Sequence, residues 1–291
     1  MIPRFDSSPL RRGAILPAFA CLAVVAMTGF GLMSDVPFAR AQDDEPLATD
    51  RPDFTETVFA IPRGRVQIEA GYTRETFGSL HADHAPELLI RTGFLPHTEL
   101  RLGYDRTWIP GPDDPDELSA GLKYAFDPGL APWAFAVIGA GTWTRARASD
   151  LQSESDFAVD LIGVWSREIS SRWSIGGIAG GVWDDVDDKG TNAAIGTVSL
   201  GASLGDRAGT FFEWAAEIPS NGDGAHLAHH GYTLRLDRNF QLDVHGAIGL
   251  TDAAPDWFLG FGFGWQTGVT RMNPADGATP PAGDPARSRK N

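Results

Sequence analysis

The chain has 291 residues, of which 42 % are hydrophobic and 10 % aromatic, and its formal net charge is −14. Nucleic acid is therefore not expected as a partner, because its binding needs clusters of lysine and arginine. Cys21 is the only cysteine, so we expect neither disulfides nor thiolate metal sites in the chain that follows it. We expect no cofactor and no metal.

Residues 1–41 have the pattern of a secretory signal peptide. A basic start, an apolar run and a small-residue cleavage site follow one another in Arg4, Arg11 and Arg12, residues 14–33, and Ala39 to Ala41. A transmembrane anchor and lipidation of Cys21 are the alternatives. We favour the signal peptide because an acidic chain begins directly afterwards, at Gln42. No later apolar stretch reaches the ~20 residues of a transmembrane helix.

Residues 42–63 precede the first segment with strand periodicity, and we predict that they form a periplasmic lead-in or a plug. Within them a charged triplet, Asp50, Arg51 and Asp53, surrounds a proline. Ordering such a triplet is costly without partners of opposite charge. We therefore interpret it as a plug or latch in which Arg51 pairs with carboxylates of a barrel lumen. The alternative is a plain lead-in that assists assembly.

Residues 64–266 contain about twelve segments in which apolar and polar side chains alternate with period two, as in β-strands with two different faces. In chain order they cover residues 64–73, 87–94, 99–108, 118–126, 133–143, 156–166, 173–183, 194–204, 212–218, 232–236, 240–250 and 257–265. The last segment carries Trp, Leu and Phe on one face, and Phe258 with three glycines on the other. A soluble sheet would bury the bulky face, whereas a membrane barrel turns it towards lipid.

Tryptophans lie near the ends of these segments and in their apolar phase. Trp133 and Trp143 are ten residues apart, and so are Trp173 and Trp183. At roughly 3.3 Å per residue and a tilt of about 40°, ten residues rise roughly 25 Å, the height of the apolar band of an outer-membrane barrel. We predict a girdle of membrane-interface aromatics that consists of Trp108, Trp133, Trp143, Trp165, Trp173, Trp183, Trp257 and Trp265.

The connections between segments alternate in length, as in barrels with short periplasmic turns and longer outer loops. Residues 78–85 and 219–229 are predicted as two of the longer loops. The number of strands is even, which puts both ends of the barrel on the periplasmic side, and the repeated hairpins indicate a meander whose closure removes exposed edges. The predicted fold is all-β: a closed antiparallel up-and-down transmembrane β-barrel of about 12 strands. Residues 267–291 are rich in Pro, Ala, Gly and charge, and we predict a disordered tail.

Several stretches resemble a known family. They are Thr49–Glu56, Pro62 with Gly64, then Gln67, Glu69, Gly71 and Tyr72, and further on Glu99–Asp105 and Asn239–Trp265. The pattern resembles a bacterial outer-membrane family labelled “putative MetA-pathway of phenol degradation”, or simply transporter. The resemblance implies a location in the outer membrane and the passage of small molecules, including aromatic or hydrophobic ones. The chain departs from the family in the 26 residues after Trp265, because such barrels usually end at the last strand.

Charged residues of both signs occupy the polar phase of the strands. They are Arg65, Glu69, Glu87, Arg91, Glu99, Arg101, Asp105, Lys123, Asp160, Glu213, Arg235 and Asp243. We interpret them as lumen residues that select solutes by charge and size in a narrow passive channel. The alternative is a lumen filled by opposed side chains in a structural salt-bridge lattice. Small inward residues on the eighth and twelfth strands favour some open space.

Other functions fit less of the sequence. A membrane lipase or deacylase needs a serine–histidine pair, but the sequence places no serine beside His245, so we predict that the protein is not an enzyme. His226, His229 and His230 would lie in an outer loop, where solvated histidines are commoner than metal ligands. A non-conducting structural or surface-binding barrel remains an alternative. Its acidic loop, Asp184–Gly190, lacks the ligand pattern of an EF-hand. A soluble lipocalin-like barrel would carry its tryptophans inward.

These interpretations predict a location in the outer membrane of a Gram-negative-type bacterium after export. The expected partners are outer-membrane lipids, small-molecule solutes and, during insertion, the barrel-assembly machinery.

Overall fold

A computed structural model describes residues 47–110, 114–126, 132–146, 154–184 and 192–267. The predicted signal peptide with Cys21, the tail after Thr267 and most of the acidic loop after Asp184 lie outside the described residues. The predictions made for those parts of the chain therefore stay predictions.

Twelve β-strands form in the described ranges, as the alternation predicts. They are β1 Val66–Phe77, β2 Leu80–Leu95, β3 Thr98–Trp108, β4 Pro115–Ala125, β5 Trp133–Ala146, β6 Glu154–Glu168, β7 Trp173–Asp184, β8 Ala193–Ser203, β9 Ala208–Pro219, β10 Ala225–Arg235, β11 Phe240–Gly249 and β12 Trp257–Gln266. No residue in these ranges is helical. The described residues therefore contain no helix that is long and apolar enough to cross a membrane.

The strands close into a single barrel. Each pairs antiparallel with its neighbours in the chain, and β1 also pairs with β12. The closing ladder runs from Gln67 opposite Gln266 to Thr76 opposite Trp257. Closure satisfies the edges that an open sheet would expose, and it confirms the predicted up-and-down antiparallel barrel.

The two faces of the barrel wall have opposite chemistry. Along β12 the bulky side chains of Trp257 to Trp265 are exposed and the alternating residues are buried. Phe261 is 60 % exposed on the outer surface, whereas Arg91 is completely buried inside the barrel. A water-soluble barrel has the reverse arrangement. The outer surface is therefore suited to hydrocarbon and the inner face to an enclosed polar axis.

The hairpin between β1 and β2 is tighter than predicted. Phe77 pairs directly with Leu80, and Gly78 adopts a φ of 58° in the turn, a left-handed conformation that glycine tolerates without steric cost. The residues after this turn extend β2, so the prediction of a long loop over residues 78–85 is wrong. The register with β3 shifts around Pro86, which has no N–H to donate to the ladder.

Strand β10 begins earlier than the sequence predicted. Ala225 already pairs with β9, so the connecting loop covers only residues 220–224. His226, His229 and His230 therefore lie in a strand, which corrects their assignment to an outer loop. Histidine has no strong strand or turn preference, and the ladder partners on β9 and β11 decide the conformation of this stretch.

Candidate functional site

The lumen is occupied by the chain's own N-terminal part, which we call the inserted segment, Leu47–Pro62. Its first residue donates a backbone hydrogen bond of 3.1 Å to the carbonyl of Arg238. Arg63, which follows the segment, forms a bridge with Gly93. Both contacts lie at the end of the barrel where the β2–β3 and β10–β11 turns are. The segment therefore enters and leaves through the same mouth.

Phe54 marks how far the inserted segment reaches. Its ring packs on that of Phe258 at a centroid distance of 5.8 Å and on that of His229 at 4.6 Å. Phe258 is the second residue of β12 and lies near the opposite mouth. The segment thus extends along most of the length of this strand.

Carboxylates of the wall hold the backbone of the inserted segment. The amides of Asp50 and Arg51 donate to Glu69, each at 2.9 Å. The amide of Phe54 donates to Glu213 at 2.9 Å, and that of Ile61 donates to Glu99 at 2.7 Å. A buried chain without regular secondary structure needs such acceptors for its N–H groups. Three predicted lumen glutamates therefore bind protein backbone.

The carboxylate of Asp50 binds three wall cations, Arg91, Arg101 and Lys123, which we call the cation cluster. Lys123 Nζ lies 3.0 Å and Arg91 NH1 3.1 Å from Asp50 Oδ2, and Arg101 NH1 donates to the same oxygen. Burial alone would raise the pKa of Asp50. The charges of Arg91, Lys123 and Arg101 instead hold that pKa well below the usual range.

Further carboxylates complete a lattice around the cation cluster. Glu56 of the inserted segment accepts two hydrogen bonds from Arg101 NH2, at 2.8 and 2.9 Å. Glu99 accepts from Arg91 Nε at 2.8 Å and from NH2 at 3.0 Å. Glu69 lies 3.1 Å from Arg91 NH1. Buried charges of this density are tolerable only when each is paired and hydrogen-bonded.

The side chain of Arg51 binds wall residues other than those that bind Asp50. Its NH1 donates to Glu87 at 2.7 Å, and its NH2 lies 3.4 Å from Asp243 Oδ1 and 3.4 Å from His245 Nε2. Burial lowers the pKa of Arg51, but Glu87 and Asp243 raise it further than burial lowers it. The predicted pairing of Arg51 with lumen carboxylates is thus present in the geometry. Its role as a plug or latch is taken up below as a proposal.

A chain of polar groups continues from Arg51 across β9, β10 and β11. His245 Nδ1 lies 3.0 Å from His229 Nε2, and His229 Nδ1 lies 2.8 Å from Glu213 Oε2. No serine hydroxyl contacts His245 within the described part of the chain, so the serine–histidine geometry of a hydrolase is not formed there. The described residues also contain no group of histidine, cysteine and carboxylate ligands that could hold a metal ion.

Asp53 differs from the rest of the charged triplet. The Ser199 hydroxyl donates a hydrogen bond of 3.4 Å to its carboxylate, and no cation is among the groups that shift its pKa. Burial, together with the nearby charge of Glu213, raises the pKa of Asp53 well above its usual value. Thr55, two residues later, donates to Glu213 at 2.6 Å. The inserted segment therefore contains two carboxylates held by cations, Asp50 and Glu56, and a third, Asp53, that lies beside a carboxylate of the wall.

The inward glycines of the wall make room for the inserted segment. A methyl group added at Gly71 would lie 2.3 Å from the guanidinium carbon of Arg51, and one added at Gly262 would lie 2.5 Å from Arg51 Nε. One added at Gly264 would lie 2.3 Å from Thr49 Cγ2. The expectation that the small inward residues of β12 leave open space is therefore wrong, because the segment fills that space.

The opposite part of the lumen is apolar and was not predicted. Val58 of the inserted segment packs against a set of buried side chains on β5 to β8, which we call the apolar wall: Ala136, Ile138, Ile162, Val164, Ile178 and Ile195. These strands carry apolar residues in both phases, so their sequence gives no contrast between the inner and outer faces. Only closure of the barrel identifies which apolar residues face the lumen.

All twelve predicted lumen charges lie on the inner side, but they do not form one site. Glu69, Arg91, Glu99, Arg101 and Lys123 meet around Asp50, while Glu87 and Asp243 meet at Arg51 and Glu213 binds Phe54 and Thr55. Asp105 instead lies 3.3 Å from His84. Arg65, Asp160 and Arg235 have the same inward phase at other positions of the chain. Glu56, Gln67 and His229 were missed as lumen residues, and of the three only Gln67 lies in a polar phase that the sequence shows.

The eight predicted interface tryptophans all lie on the outer surface. Trp133 and Trp165 pack with ring centroids 6.0 Å apart, and Trp143 packs on Phe157 at 5.0 Å. Arg106 covers the ring of Trp108 at 3.8 Å. Their placement on the outer surface agrees with the predicted phase, and their contact with a membrane interface stays a prediction.

Comparison with known proteins identifies one family. The family model described as “Putative MetA-pathway of phenol degradation” matches residues 49–267, which include most of the inserted segment and the whole barrel. No curated protein sequence matches the chain.

Solved structures show the same architecture at low sequence identity. An outer membrane channel from Pseudomonas putida F1 is similar at a TM-score of 0.50 and 12 % identity, covering 72 % of this chain and 97 % of that one. The translocator domain of the autotransporter NalP from Neisseria meningitidis is similar at a TM-score of 0.50 and 13 % identity, covering 69 % and 87 %. The fold is thus that of bacterial outer-membrane barrels.

Proposed function

Because the chain belongs to the family described as “Putative MetA-pathway of phenol degradation”, we propose that it is a passive channel of a bacterial outer membrane. Its outer surface is apolar, as membrane insertion requires, and charged side chains line part of its inner surface. The partners in this proposal are the surrounding lipids, the assembly machinery that inserts the barrel, and small solutes.

The observation that carries the proposal is that the inserted segment fills the lumen. Side chains of the wall alone do not fill it, because Gly71, Gly262 and Gly264 leave room that residues of the inserted segment occupy. A purely structural barrel would need no such separate part. A segment that enters and leaves through one mouth is free to withdraw without breaking any strand pairing.

The solutes in this proposal are small and include aromatic or hydrophobic ones. The apolar wall supports this class, since Ile138, Ile162 and Ile178 face the lumen at a height where Val58 now packs. Withdrawal of the segment would expose this surface to the passing solute, and the exchange of Val58 for a solute would preserve apolar burial.

A reversible lock on the inserted segment tests the proposal. A β-carbon built on Gly264 lies 3.6 Å from Thr49 Cβ, which is within the ~3.5–4.5 Å that a disulfide spans. The chain from Gln42 onward contains no cysteine, so Thr49→Cys/Gly264→Cys forms one defined bond. We expect the oxidised variant to show lower planar-bilayer conductance and slower liposome swelling than the reduced one.

Two controls are needed to interpret the disulfide experiment. Each single-cysteine variant should be insensitive to reductant, and a chain that starts at Arg63 should conduct more than the parent protein. If the chain from Arg63 conducts no better than a protein-free bilayer, the channel function is wrong. The second candidate, a non-conducting structural barrel, then remains, and the dense ion pairing around Asp50 favours it.

A further inference from the structure

The carboxylates of Asp50 and Glu56 occupy a site whose cations all belong to the barrel wall. We propose that this site, when the inserted segment withdraws, binds the carboxylate of an apolar organic acid, and this rests on the channel function proposed above. The segment is then a built-in stand-in for the solute. The residues that recognise the solute are the cation cluster, Arg91, Arg101 and Lys123.

The net charge around the cation cluster changes from negative to positive when the inserted segment leaves. With the segment in place, the three cations face four carboxylates, those of Asp50, Glu56, Glu69 and Glu99. Without it they face only the two wall glutamates. An excess positive charge then remains inside the barrel, and an unpaired buried charge is costly. The empty site therefore favours an anion.

The excess charge is concentrated on Arg101 and Lys123. Arg91 keeps both hydrogen bonds to Glu99 and its contact with Glu69 at 3.1 Å. Arg101 keeps a single contact of 2.9 Å with Glu99, and Lys123 keeps a distance of 3.8 Å to the same glutamate. The anion that replaces Asp50 and Glu56 is thus recognised mainly by Arg101 and Lys123.

Withdrawal of Arg51 also leaves Glu87 and Asp243 without their cation. These carboxylates are not equivalent to the cations that lose Asp50 and Glu56. A carboxyl group in a dry site takes up a proton and becomes neutral, whereas a guanidinium stays protonated in proteins. Glu87 and Asp243 therefore lose their negative charge by taking up protons. The guanidiniums of Arg91 and Arg101 cannot lose their charge in this way, and this favours an acid over an amine as the ligand.

The apolar part of the ligand follows from the position of the apolar wall. Across the β4–β5 ladder Lys123 is directly opposite Ile138, and across β5–β6 Ile138 is opposite Ile162. Going the other way, Arg101 on β3 is opposite Arg91 on β2. Cations and aliphatic side chains thus follow one another on consecutive strands of the barrel, from β2 to β6. The segment uses both, with Glu56 on Arg101 and Val58 on the apolar wall.

Calorimetric titration of the chain that starts at Arg63, refolded in a non-ionic detergent, tests the site. The probe is 4-phenylbutyrate, the matched neutral compound is 4-phenylbutyramide, and titration into empty micelles corrects for partitioning. We expect the acid to bind at least tenfold more tightly than the amide. Arg101→Gln should abolish at least a tenfold part of that preference, while Arg207→Gln, in the exposed β8–β9 turn, should leave it unchanged. Equal affinities for acid and amide, or a preference that survives Arg101→Gln, overturn the proposal.

A second measurement uses the full-length chain if the shortened one does not fold. Asp50→Ala/Glu56→Ala removes both stand-in carboxylates and leaves the cation cluster intact. Acetate should raise the melting temperature of this variant by several degrees more than that of the parent, and acetamide should not. An equal effect of the two compounds overturns the site. A protein that conducts without an acid preference refutes the anion site alone, whereas one that binds the acid but never conducts refutes the channel.

Discussion

At the scale of single residues, the pKa values of the two aspartates in the inserted segment are shifted in opposite directions. Three cations converge on Asp50 and hold its pKa well below the usual range, whereas burial beside Glu213 raises the pKa of Asp53 well above it. Asp50 therefore favours the docked segment in its charged form and Asp53 in its neutral form. The two respond differently to pH, which separates their contributions experimentally.

Asp50→Asn should loosen the inserted segment. Removing one partner of a buried ion pair leaves the other charges uncompensated and costs about 3–5 kcal/mol. Because the pKa of Asp50 is lowered in the folded protein, its contribution is present above the ordinary aspartate pKa and is lost only as the pH falls through the lowered value. Hydrogen exchange of the Asp50, Arg51 and Phe54 amides measures docking. Unchanged protection in the variant at pH 7 would contradict this assignment.

Asp53→Asn should have the opposite effect at neutral pH. The raised pKa of Asp53 means that its favourable, protonated form is fully present below the ordinary aspartate pKa and is lost as the pH rises through the raised value. An amide keeps the neutral form at every pH, so the segment should be more protected from exchange than in the parent protein at pH 7 and equally protected near pH 4. Weaker protection at pH 7 would show that the carboxylate is stabilising.

Gly71→Ala tests whether the glycines exist to admit the segment. The three atoms nearest to the added methyl all belong to the Arg51 guanidinium, so we expect displacement of Arg51 at a cost of about 1–3 kcal/mol, the range for overpacking. Faster hydrogen exchange over Leu47–Pro62, with an intact barrel, is the expected readout. Gly139→Ala is the matched control, because its methyl makes only an ordinary contact of 3.9 Å with Leu161. Equal effects of the two substitutions would refute the spacing role.

At the scale of elements, β12 combines the two properties of the wall. Its outer face carries rings from Trp257 to Trp265, and its inner face carries the glycines that receive Arg51 and Thr49. The sequence alternation predicts the first property directly. It says nothing about the second, because a glycine is equally compatible with an empty pore and with a close neighbour.

Phe261→Arg tests the outward orientation of β12. Phe261 lies midway between the two terminal tryptophans, and an arginine at the midplane of the lipid face costs about 2–4 kcal/mol, compared with about 0–1 kcal/mol near the interface. Urea titration of the refolded protein in lipid vesicles should show this larger loss for Phe261→Arg and a small one for Trp265→Arg. Comparable losses at the two positions would argue against a bilayer around this surface.

Strand β10 shows where element prediction from sequence fails. Its first half, with His226, His229 and His230, has no apolar alternation, and therefore it resembles a loop. In the barrel, His229 faces inward to Glu213 while His230 stacks on Phe212 outside, at a ring distance of 4.2 Å. Pairing with β9 and β11 supplies the order that the local sequence lacks.

At the scale of the whole molecule, the hydrogen-bonded ring of twelve strands has a simple consequence. With β1 paired to β12 there is no edge from which the sheet can fray. We expect a compact, faster-migrating band in SDS gels without heating and a slower band after boiling. A single band at both temperatures, or a protein that dissolves as a compact monomer in plain buffer, would contradict a closed barrel made for lipid.

The sequence by itself determined that there are about twelve strands and, where the alternation is clear, which side of a strand faces outward, because period-two alternation is a local property of each strand. It also identified Asp50 and Arg51 as residues that need partners. Only the tertiary structure decided what fills the lumen. Asp50 meets Lys123, and Arg51 meets Asp243, 192 residues away, and alternation carries no information about such distant pairings. Closure of the barrel and entry of the inserted segment bring these pairs together, because each buried charge needs a partner of opposite sign.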